Sequence, residues 1–398
     1  MTKKYERPRI YLILWSIFFL LINTASSWSQ DALEEILIPQ TVNPGLTHLL
    51  KLAESDNTVS CDPAHIAPVI DFLTSSKKTD CLYYSNIDIS GVSSYNEFDF
   101  RKEFGTFLKL AFSPDIPDYI IMPSSVRLNY WKQIEGQKGA PFPHLWKKLA
   151  DLNLPVMISG IQYEITTPNV DTGGYYGYDL NRRIILLNHK GRKVLISLSK
   201  QIKKSEVGKK GYIIGPDSDW EYFYSGEDGL TKNGLGWTSS YIYNSYSITI
   251  FYEMEADSPL IRCGSFKWLD AGWMGMNMAK KKHIYNGQVR YAASLKQIIE
   301  NPSMPDTSVL ADKMATIKQH SREELKTQFK SYLQRIIKRS EKLNDSAAAA
   351  KIKSLLEDNK NLDQLKNEEM YSALMMDYIK MLMGKISDQK LALKSSGN

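Results

Sequence analysis

Residues 182–199 read RRIILLNHKGRKVLISLS and carry the clearest secondary-structure pattern in the chain. Two apolar runs, Arg182–Leu187 and Arg192–Ser199, are rich in residues that favour strands. The four residues between them end in Gly191, and glycine adopts the positive φ that a tight turn requires. These residues therefore predict an antiparallel β-hairpin.

Strand patterns continue on both sides of this hairpin. Residues 161–165 alternate apolar and polar side chains, and longer strand-like runs lie at 241–253 and 260–268. A helical pattern over 287–300 follows the last of these runs. Residues 153–303 are therefore predicted to form a curved antiparallel β-sheet covered by a closing helix.

The preceding region, residues 30–152, mixes short helices with short strands. Its phenylalanines within 98–112 recur at helical spacing, which predicts a helix there. The apolar segment 119–122 lies between prolines and predicts a short strand. We therefore expect a mixed N-terminal region ahead of the main sheet.

The last part of the chain, residues 304–398, is predicted to be a helical module. Apolar residues between Leu310 and Leu343 recur at steps of three and four, which is typical of amphipathic helices. The expected fold class is therefore α+β, with a mixed N-terminal region, a curved antiparallel β-sheet covered by a helix, and a C-terminal all-helical module.

Residues 1–29 have the pattern of a signal peptide. Four basic residues flank the start of an apolar run, Ile10–Ile22, and small polar residues follow up to Ser29. The run is shorter than the roughly 20 residues that a membrane-spanning helix needs. We expect an exported protein, periplasmic or secreted, with no transmembrane span after cleavage. An uncleaved N-terminal anchor is the alternative.

Composition and motifs exclude several classes of function. The chain has 50 Lys and Arg against 44 Asp and Glu, a formal net charge of +6, which is too mild to indicate a nucleic-acid partner. The sequence motifs of serine hydrolases, zinc proteases, P-loop enzymes and dinucleotide-binding enzymes are absent. No catalytic residue, cofactor or metal ligand is therefore predicted.

The three cysteines predict one disulfide bond. Cys61 and Cys81 flank a helical segment, and an oxidising compartment would favour their pairing. Such a bond would close a loop of about 20 residues and contribute about 3 kcal/mol. The remaining residue, Cys263, is expected to be a buried thiol in a strand.

Three methionines alternate along one segment, Met274, Met276 and Met278, with His283 after them. Methionine commonly fills irregular gaps in a core, so core packing is the favoured interpretation. Thioether and imidazole ligands also suit Cu(I), which leaves a copper site as an open alternative.

Aromatic side chains mark a candidate ligand-binding region. Tyrosine and tryptophan are amphipathic, and in or near loops they line pockets for lipids or other apolar ligands. The predicted ligand-binding residues are Tyr175, Tyr176, Tyr178, Trp237, Tyr241 and Tyr243.

These features favour a non-catalytic envelope protein that binds an apolar or amphipathic ligand, such as a lipid, between the sheet and the closing helix. The C-terminal helices are expected to contact an envelope protein partner. A hydrolase of envelope polymers with paired carboxylates is one alternative, because such pairs need no local motif. A purely structural interaction protein is the other.

Overall fold

A computed structural model describes residues 33–54, 60–232, 236–256, 258–357 and 359–386. The predicted signal peptide lies outside these described residues. No helix in the described ranges is both long and apolar enough to cross a bilayer.

The described residues form sixteen strands and nine α-helices. The strands are β1 (Glu34–Leu37), β2 (Cys81–Tyr84), β3 (Val92–Arg101), β4 (Val126–Ile134), β5 (Gln137–Lys138), β6 (Val156–Thr166), β7 (Gly174–Tyr175), β8 (Gly177–His189), β9 (Arg192–Gln201), β10 (Lys209–Ile213), β11 (Tyr222–Asp228), β12 (Leu230–Lys232), β13 (Gly236–Thr238), β14 (Ser240–Glu253), β15 (Leu260–Trp273) and β16 (Met276–Asn277). The helices are α1 (Asn43–Glu54), α2 (Pro63–Thr74), α3 (Phe104–Ala111), α4 (Lys281–Ile299), α5 (Thr307–Gln319), α6 (Arg322–Lys342), α7 (Ser346–Glu357), α8 (Asn359–Gln364) and α9 (Asn367–Leu382).

Eleven strands form one sheet in the order β1-β2-β3-β15-β14-β9-β8-β6-β4-β5, with β16 paired to β15. Its strands pair antiparallel except for β1 with β2. A three-stranded sheet, β11-β10-β7, and the ribbon β12-β13 lie apart from it. The α+β fold class is confirmed. Strands β1 to β5 come from the N-terminal region but belong to the main sheet, while the boundaries at 152/153 and 303/304 stay predictions.

The predicted hairpin is confirmed as β8 and β9. The two strands pair from Leu180 opposite Gln201 to His189 opposite Arg192. Lys190 and Gly191 have φ values of 53° and 75°, the left-handed conformations of a two-residue type I′ turn. The turn therefore fixes the register that places alternate side chains on opposite faces of the sheet.

Both faces of this hairpin are buried. Ile185 and Leu187 pack in a core with α1 and α2. Ile184 and Leu186 point the other way, into a core with α3, α4 and the helices of the C-terminal region. Strands covered on both faces are continuously apolar, which explains the unbroken run IILL.

Two sequence-based predictions in the N-terminal region are wrong, one in part and one entirely. The predicted helix over 98–112 is confirmed for Phe104–Ala111 (α3) and wrong at its start, where residues 98–101 are the end of β3; the apolar spacing continues because both elements face the same core. The predicted strand at 119–122 is a 3₁₀ turn, Asp118–Ile121. Tyr119, Ile120 and Ile121 are all buried, whereas consecutive residues of a strand point to opposite faces.

The predicted disulfide between Cys61 and Cys81 is also wrong, because both residues are free thiols. Cys61 lies within the electrostatic influence of Arg183 on β8, and burial raises its pKa to about 11. Cys81 is in β2, five strands away across the sheet, or about 24 Å at ordinary strand spacing. Cys263 is fully buried in β15, as predicted.

The C-terminal helices are held against the body by a buried ion cluster. Glu221, just before β11, is fully buried and accepts hydrogen bonds from Lys380 of α9 at 2.7 Å and Arg335 of α6 at 2.8 Å. Arg335 also pairs with Asp377. Burial alone would raise the pKa of Glu221, but the two cations override it and lower the pKa to about 2.

We expect Glu221→Gln to lower the free energy of unfolding by about 3–5 kcal/mol at neutral pH, measured by urea denaturation. The variant leaves Lys380 buried without its countercharge and leaves Arg335 with Asp377 alone. The pKa of Glu221 is depressed in the folded state. Its contribution to the free energy of unfolding is therefore present above pH 4.5 and is lost as the pH falls towards 2. The stability gap between wild type and variant should therefore narrow over this range.

Glu227→Gln is the matched control. Glu227 pairs with Lys351 at 2.6 Å, but both side chains are about 40% exposed, so the loss should stay under about 1 kcal/mol. Equal losses in the two variants would show that burial of Glu221 has no special role.

Candidate functional site

A polar row crosses the sheet face that carries α4. Cross-strand register places Ser94, Lys267, Ser247, Ser199 and Arg182 side by side on β3, β15, β14, β9 and β8. They alternate with residues of the opposite core, so they point to the α4 side of the sheet. Polar side chains therefore occupy the middle of a face that is apolar nearer the strand ends.

The neighbouring rows are also rich in hydroxyl groups. Thr249 lies beside Ser265 and Ser197, and Gln201 lies one row away on the other side. The hydroxyl-bearing residues on this face are Ser94, Ser197, Ser199, Ser245, Ser247, Thr249 and Ser265.

Lys267 and Arg182 are two partly buried cations without a direct partner. Neither forms an ion pair or a hydrogen bond with any residue in the described ranges. Burial lowers the pKa of Lys267, and the more distant Glu164 only partly offsets that effect. Interior charges are ordinarily paired, because desolvation of an unpaired ion is costly. These two cations are therefore the groups of the row that an anionic part of a ligand would contact.

Two carboxylates lie at the β6 edge of this face, in different environments. Glu164 accepts a hydrogen bond from the Tyr178 hydroxyl at 2.8 Å. Asp118 lies in the 3₁₀ turn, 3.5 Å from the amide nitrogen of Gln162. Burial raises the pKa of Asp118, although Arg182 opposes that shift and Glu164 adds to it. Asp118 therefore gains a proton more readily than an exposed aspartate.

Several buried polar atoms around the row have no hydrogen-bond partner in the described part of the chain. They include both amide atoms of Asn129 and the side-chain oxygens of Gln162, Ser94 and Gln288. Each of these side chains is at most 6% exposed. A buried polar group left unpaired costs about 1–3 kcal/mol, so these atoms are placed to contact water or a polar ligand.

Helix α4 covers one side of the row. Gln288 donates its amide hydrogens to the Ser265 carbonyl at 2.7 Å and to the Ser94 carbonyl at 3.2 Å. Tyr291, three residues further along α4, lies within the electrostatic influence of Arg182 and Asp118, and burial raises its pKa. The helix therefore brings aromatic and amide groups over the polar row.

An apolar group continues the same face toward the start of β8 and β14. Tyr178, Leu180 and Ile242 are buried together, and Leu269 and Ala271 of β15 pack against them. The face thus passes from the two cations to an apolar end within a few residues of each strand.

The structure separates the six predicted ligand-binding residues. Tyr178 borders the polar row, and Tyr176 bonds to Ser240 at 3.0 Å beside it. Tyr175 lies in the small sheet, with its ring 5.1 Å from that of Tyr224. Tyr241 and Tyr243 lie together, 6.1 Å apart, at the end of the main sheet. The side chain of Trp237 lies outside the described residues.

Sequence reasoning missed the charged residues of the site. The available signal was the polar residue at every second position in β9, β14 and β15, as in SITIF and GSFKW. Alternation of this kind commonly marks a solvated face, so only the structure shows that α4 packs over the β3 and β15 part of this row.

A tighter pocket lies between the small sheet and the C-terminal helices. It is lined by aromatic residues with Arg127 and Lys380 at its edge, and its cavity is about 50 Å³. That volume holds little more than one or two water molecules. The polar row is therefore the stronger candidate site.

Comparisons with protein families, curated proteins and solved structures find no match for this chain.

Lys267→Met should raise the free energy of unfolding of the ligand-free protein by about 1–2 kcal/mol. The change removes an unpaired interior charge and keeps a side chain of similar length. Chemical denaturation measures it, with the exposed Lys318→Met as control, expected within about 0.5 kcal/mol of wild type. Destabilisation by Lys267→Met would mean that the ammonium group supports the fold instead.

Proposed function

We propose that this chain is an exported, non-catalytic envelope protein that binds a small anionic, amphipathic molecule on the interior face of its sheet, beside α4. The observation that carries the proposal is the pair of partly buried cations, Lys267 and Arg182, without a direct partner among the described residues. Export rests on the signal-peptide pattern of residues 1–29 alone.

The anionic group of the ligand follows from the geometry of the row. Ser247 and Ser199 lie between the two cations. The strands that carry Lys267 and Arg182 are therefore three strand spacings, or about 14 Å, apart. Lys and Arg side chains are long enough to approach one anionic group from both sides of the row, and serine hydroxyls are hydrogen-bond donors. Charge-assisted hydrogen bonds of this kind are the strong ones for carboxylate, sulfate or phosphate groups.

The apolar part of the ligand follows from the neighbouring group around Leu180 and Ile242. Ligand pockets are commonly apolar with a few placed polar groups that set orientation. An amphipathic molecule satisfies both ends of this face, whereas a purely apolar ligand would leave the buried amide of Asn129 and the side-chain oxygen of Gln162 unpaired.

A carboxylate-based hydrolase is the second candidate, and one observation favours it. Asp118 and Glu164 face the same region, and burial raises the pKa of Asp118 while a hydrogen bond from Tyr178 stabilises the Glu164 carboxylate. Two carboxyl groups in contrasting environments suit an acid and its partner base or nucleophile.

A partner surface on the C-terminal helices has weaker support. Most of the apolar stripe on these helices is buried in the shared core, and Val309 and Leu343 are its exposed large residues in the described ranges. Contact with an envelope protein through these helices stays a proposal.

The binding proposal is tested with octanoate and octanol, which share an apolar tail and differ in charge. Isothermal titration calorimetry should show binding of octanoate and at least tenfold weaker binding of octanol. Lys267→Met and Arg182→Met should each weaken octanoate binding about tenfold or more, since each removes a charged hydrogen bond worth about 1.5–3 kcal/mol. Lys318→Met should not. Equal affinity for both probes, or unchanged binding in both variants, would contradict the proposal.

Anion binding should also weaken with rising pH. The pKa of Lys267 is lowered by burial, so its positive charge is lost at a lower pH than that of an exposed lysine. Octanoate affinity should fall as the pH rises through that lowered pKa, and Lys267→Arg should remove the fall, because arginine stays charged. An identical pH profile for the two proteins would exclude Lys267 from the site.

The hydrolase candidate is tested separately with chromogenic glycosides and cell-wall fragments. Turnover that disappears in both Asp118→Asn and Glu164→Gln would favour catalysis. Turnover that survives both changes, or no turnover at all, would remove this candidate.

A further inference from the structure

The end of the main sheet where β14 begins exposes an apolar, basic surface. The hairpin between β15 and β16 carries three exposed methionines, Met274 at 78%, Met276 at 48% and Met278 at 47%. The core-packing interpretation of these residues is therefore wrong. Met274 also has a φ of 52°, a left-handed conformation that an unbranched apolar residue adopts at a cost.

The hairpin is held in this exposed position by specific contacts. The Gly275 amide donates to the Tyr243 hydroxyl at 2.8 Å, and the Asn277 side chain accepts from the Ala271 amide at 3.2 Å. Met278 packs closely over Gly272, where a Cβ atom would come within 3.0 Å of its side chain. The methionines are thus presented by an ordered turn.

A second exposed segment lies beside the hairpin. The Ser205 amide donates to the Ile242 carbonyl at 2.9 Å, so residues 202–205 run along the start of β14, on the side away from β15. Ile202 of this segment is 44% exposed. Tyr241 lies between the two segments, with the Lys204 ammonium 3.9 Å from its ring centre.

Basic residues surround these apolar tips. Lys203, Lys204, Lys280 and Lys282 are exposed, whereas Lys281 pairs with Glu35. The acidic residues nearby are Glu206, which accepts from Tyr163, Asp270, which accepts from Ser90, and Asp179, which pairs with Lys132. Because Glu35 and Asp179 are each paired with a lysine, four exposed lysines face two other carboxylates, and this end of the sheet is positively charged.

We propose that this surface, the Met274–Met278 hairpin with the Ile202–Lys204 segment, docks on an anionic lipid bilayer. Exposed apolar side chains insert at the headgroup boundary, tyrosine rings lie at the interface, and lysines contact the lipid phosphates. Each lysine near an anionic surface contributes about 1 kcal/mol, or about fivefold in affinity. The charge of the patch selects an anionic membrane over a neutral one.

Vesicle co-sedimentation tests the docking surface with phosphatidylcholine vesicles that contain or lack phosphatidylglycerol. The protein should bind the anionic vesicles, and high salt should weaken binding. Replacing Met274, Met276 and Met278 together by Ser should weaken it at least tenfold. So should replacing Lys203, Lys204, Lys280 and Lys282 together by Gln.

Matched controls replace exposed apolar and basic residues that lie outside the proposed docking surface. Leu154→Ser removes an apolar side chain that is also 78% exposed, and Lys147, Lys318, Lys338 and Lys342 are exposed lysines elsewhere. Neither Leu154→Ser nor the four Lys→Gln changes together should weaken vesicle binding more than about twofold. Loss of binding in the controls as large as in the hairpin variants would overturn the assignment.

Methionine oxidation supplies a readout that is local to the hairpin. Peroxide converts exposed methionine to its sulfoxide, which mass spectrometry locates in the chain. Anionic vesicles should slow oxidation of Met274, Met276 and Met278 several-fold. This protection is expected even if residues 10–22 are retained as an anchor and also bind the vesicle. Unchanged oxidation rates on vesicle-bound protein would overturn the proposal.

Discussion

The burial of both faces of the central strands is the constraint on which the rest of the structure depends. β8 and β9 send alternate side chains into two separate cores, one under α1 and α2 and one under α4 and the C-terminal helices. A one-residue slip of register would exchange these two sets. The Lys190-Gly191 turn, with both residues at positive φ, prevents that slip.

The polar row lowers the stability of a sheet that is packed on both faces, because it occupies positions that apolar residues could fill. Lys267 and Arg182 lie between the apolar ends of their strands, and buried amides next to them lack partners in the described ranges. Structures retain such costs chiefly where polar groups meet a ligand or take part in chemistry. The same reasoning applies to the exposed hairpin, where apolar Met274 occupies a left-handed turn position.

The buried cluster around Glu221 joins the C-terminal helices to the body. Its charges are satisfied by direct hydrogen bonds from Lys380 and Arg335, in contrast to the unpaired cations of the polar row. The contrast separates the two kinds of interior charge: one is paired within the protein and supports the fold, and the other is left available. The methionine hairpin follows the end of β15, and Lys267 of the polar row lies six residues earlier in the same strand, about 20 Å away at ordinary strand rise.

Local pattern alone determined the α+β class, the β8–β9 hairpin, the closing helix and the helical character of the C-terminal region, because period and turn chemistry are local properties. It failed where distant elements set the outcome. The phenylalanines near 100 share a core although a strand and a helix carry them, and Cys61 and Cys81 are close in sequence but five strands apart. The candidate site could not be predicted from the sequence either. Alternating serines predict a solvated face, whereas in the structure α4 packs over the β3 and β15 end of the row. Only the tertiary structure brings Lys267, Arg182, Glu164 and Asp118 together, since they come from three strands and a turn that are distant in sequence and meet through sheet register.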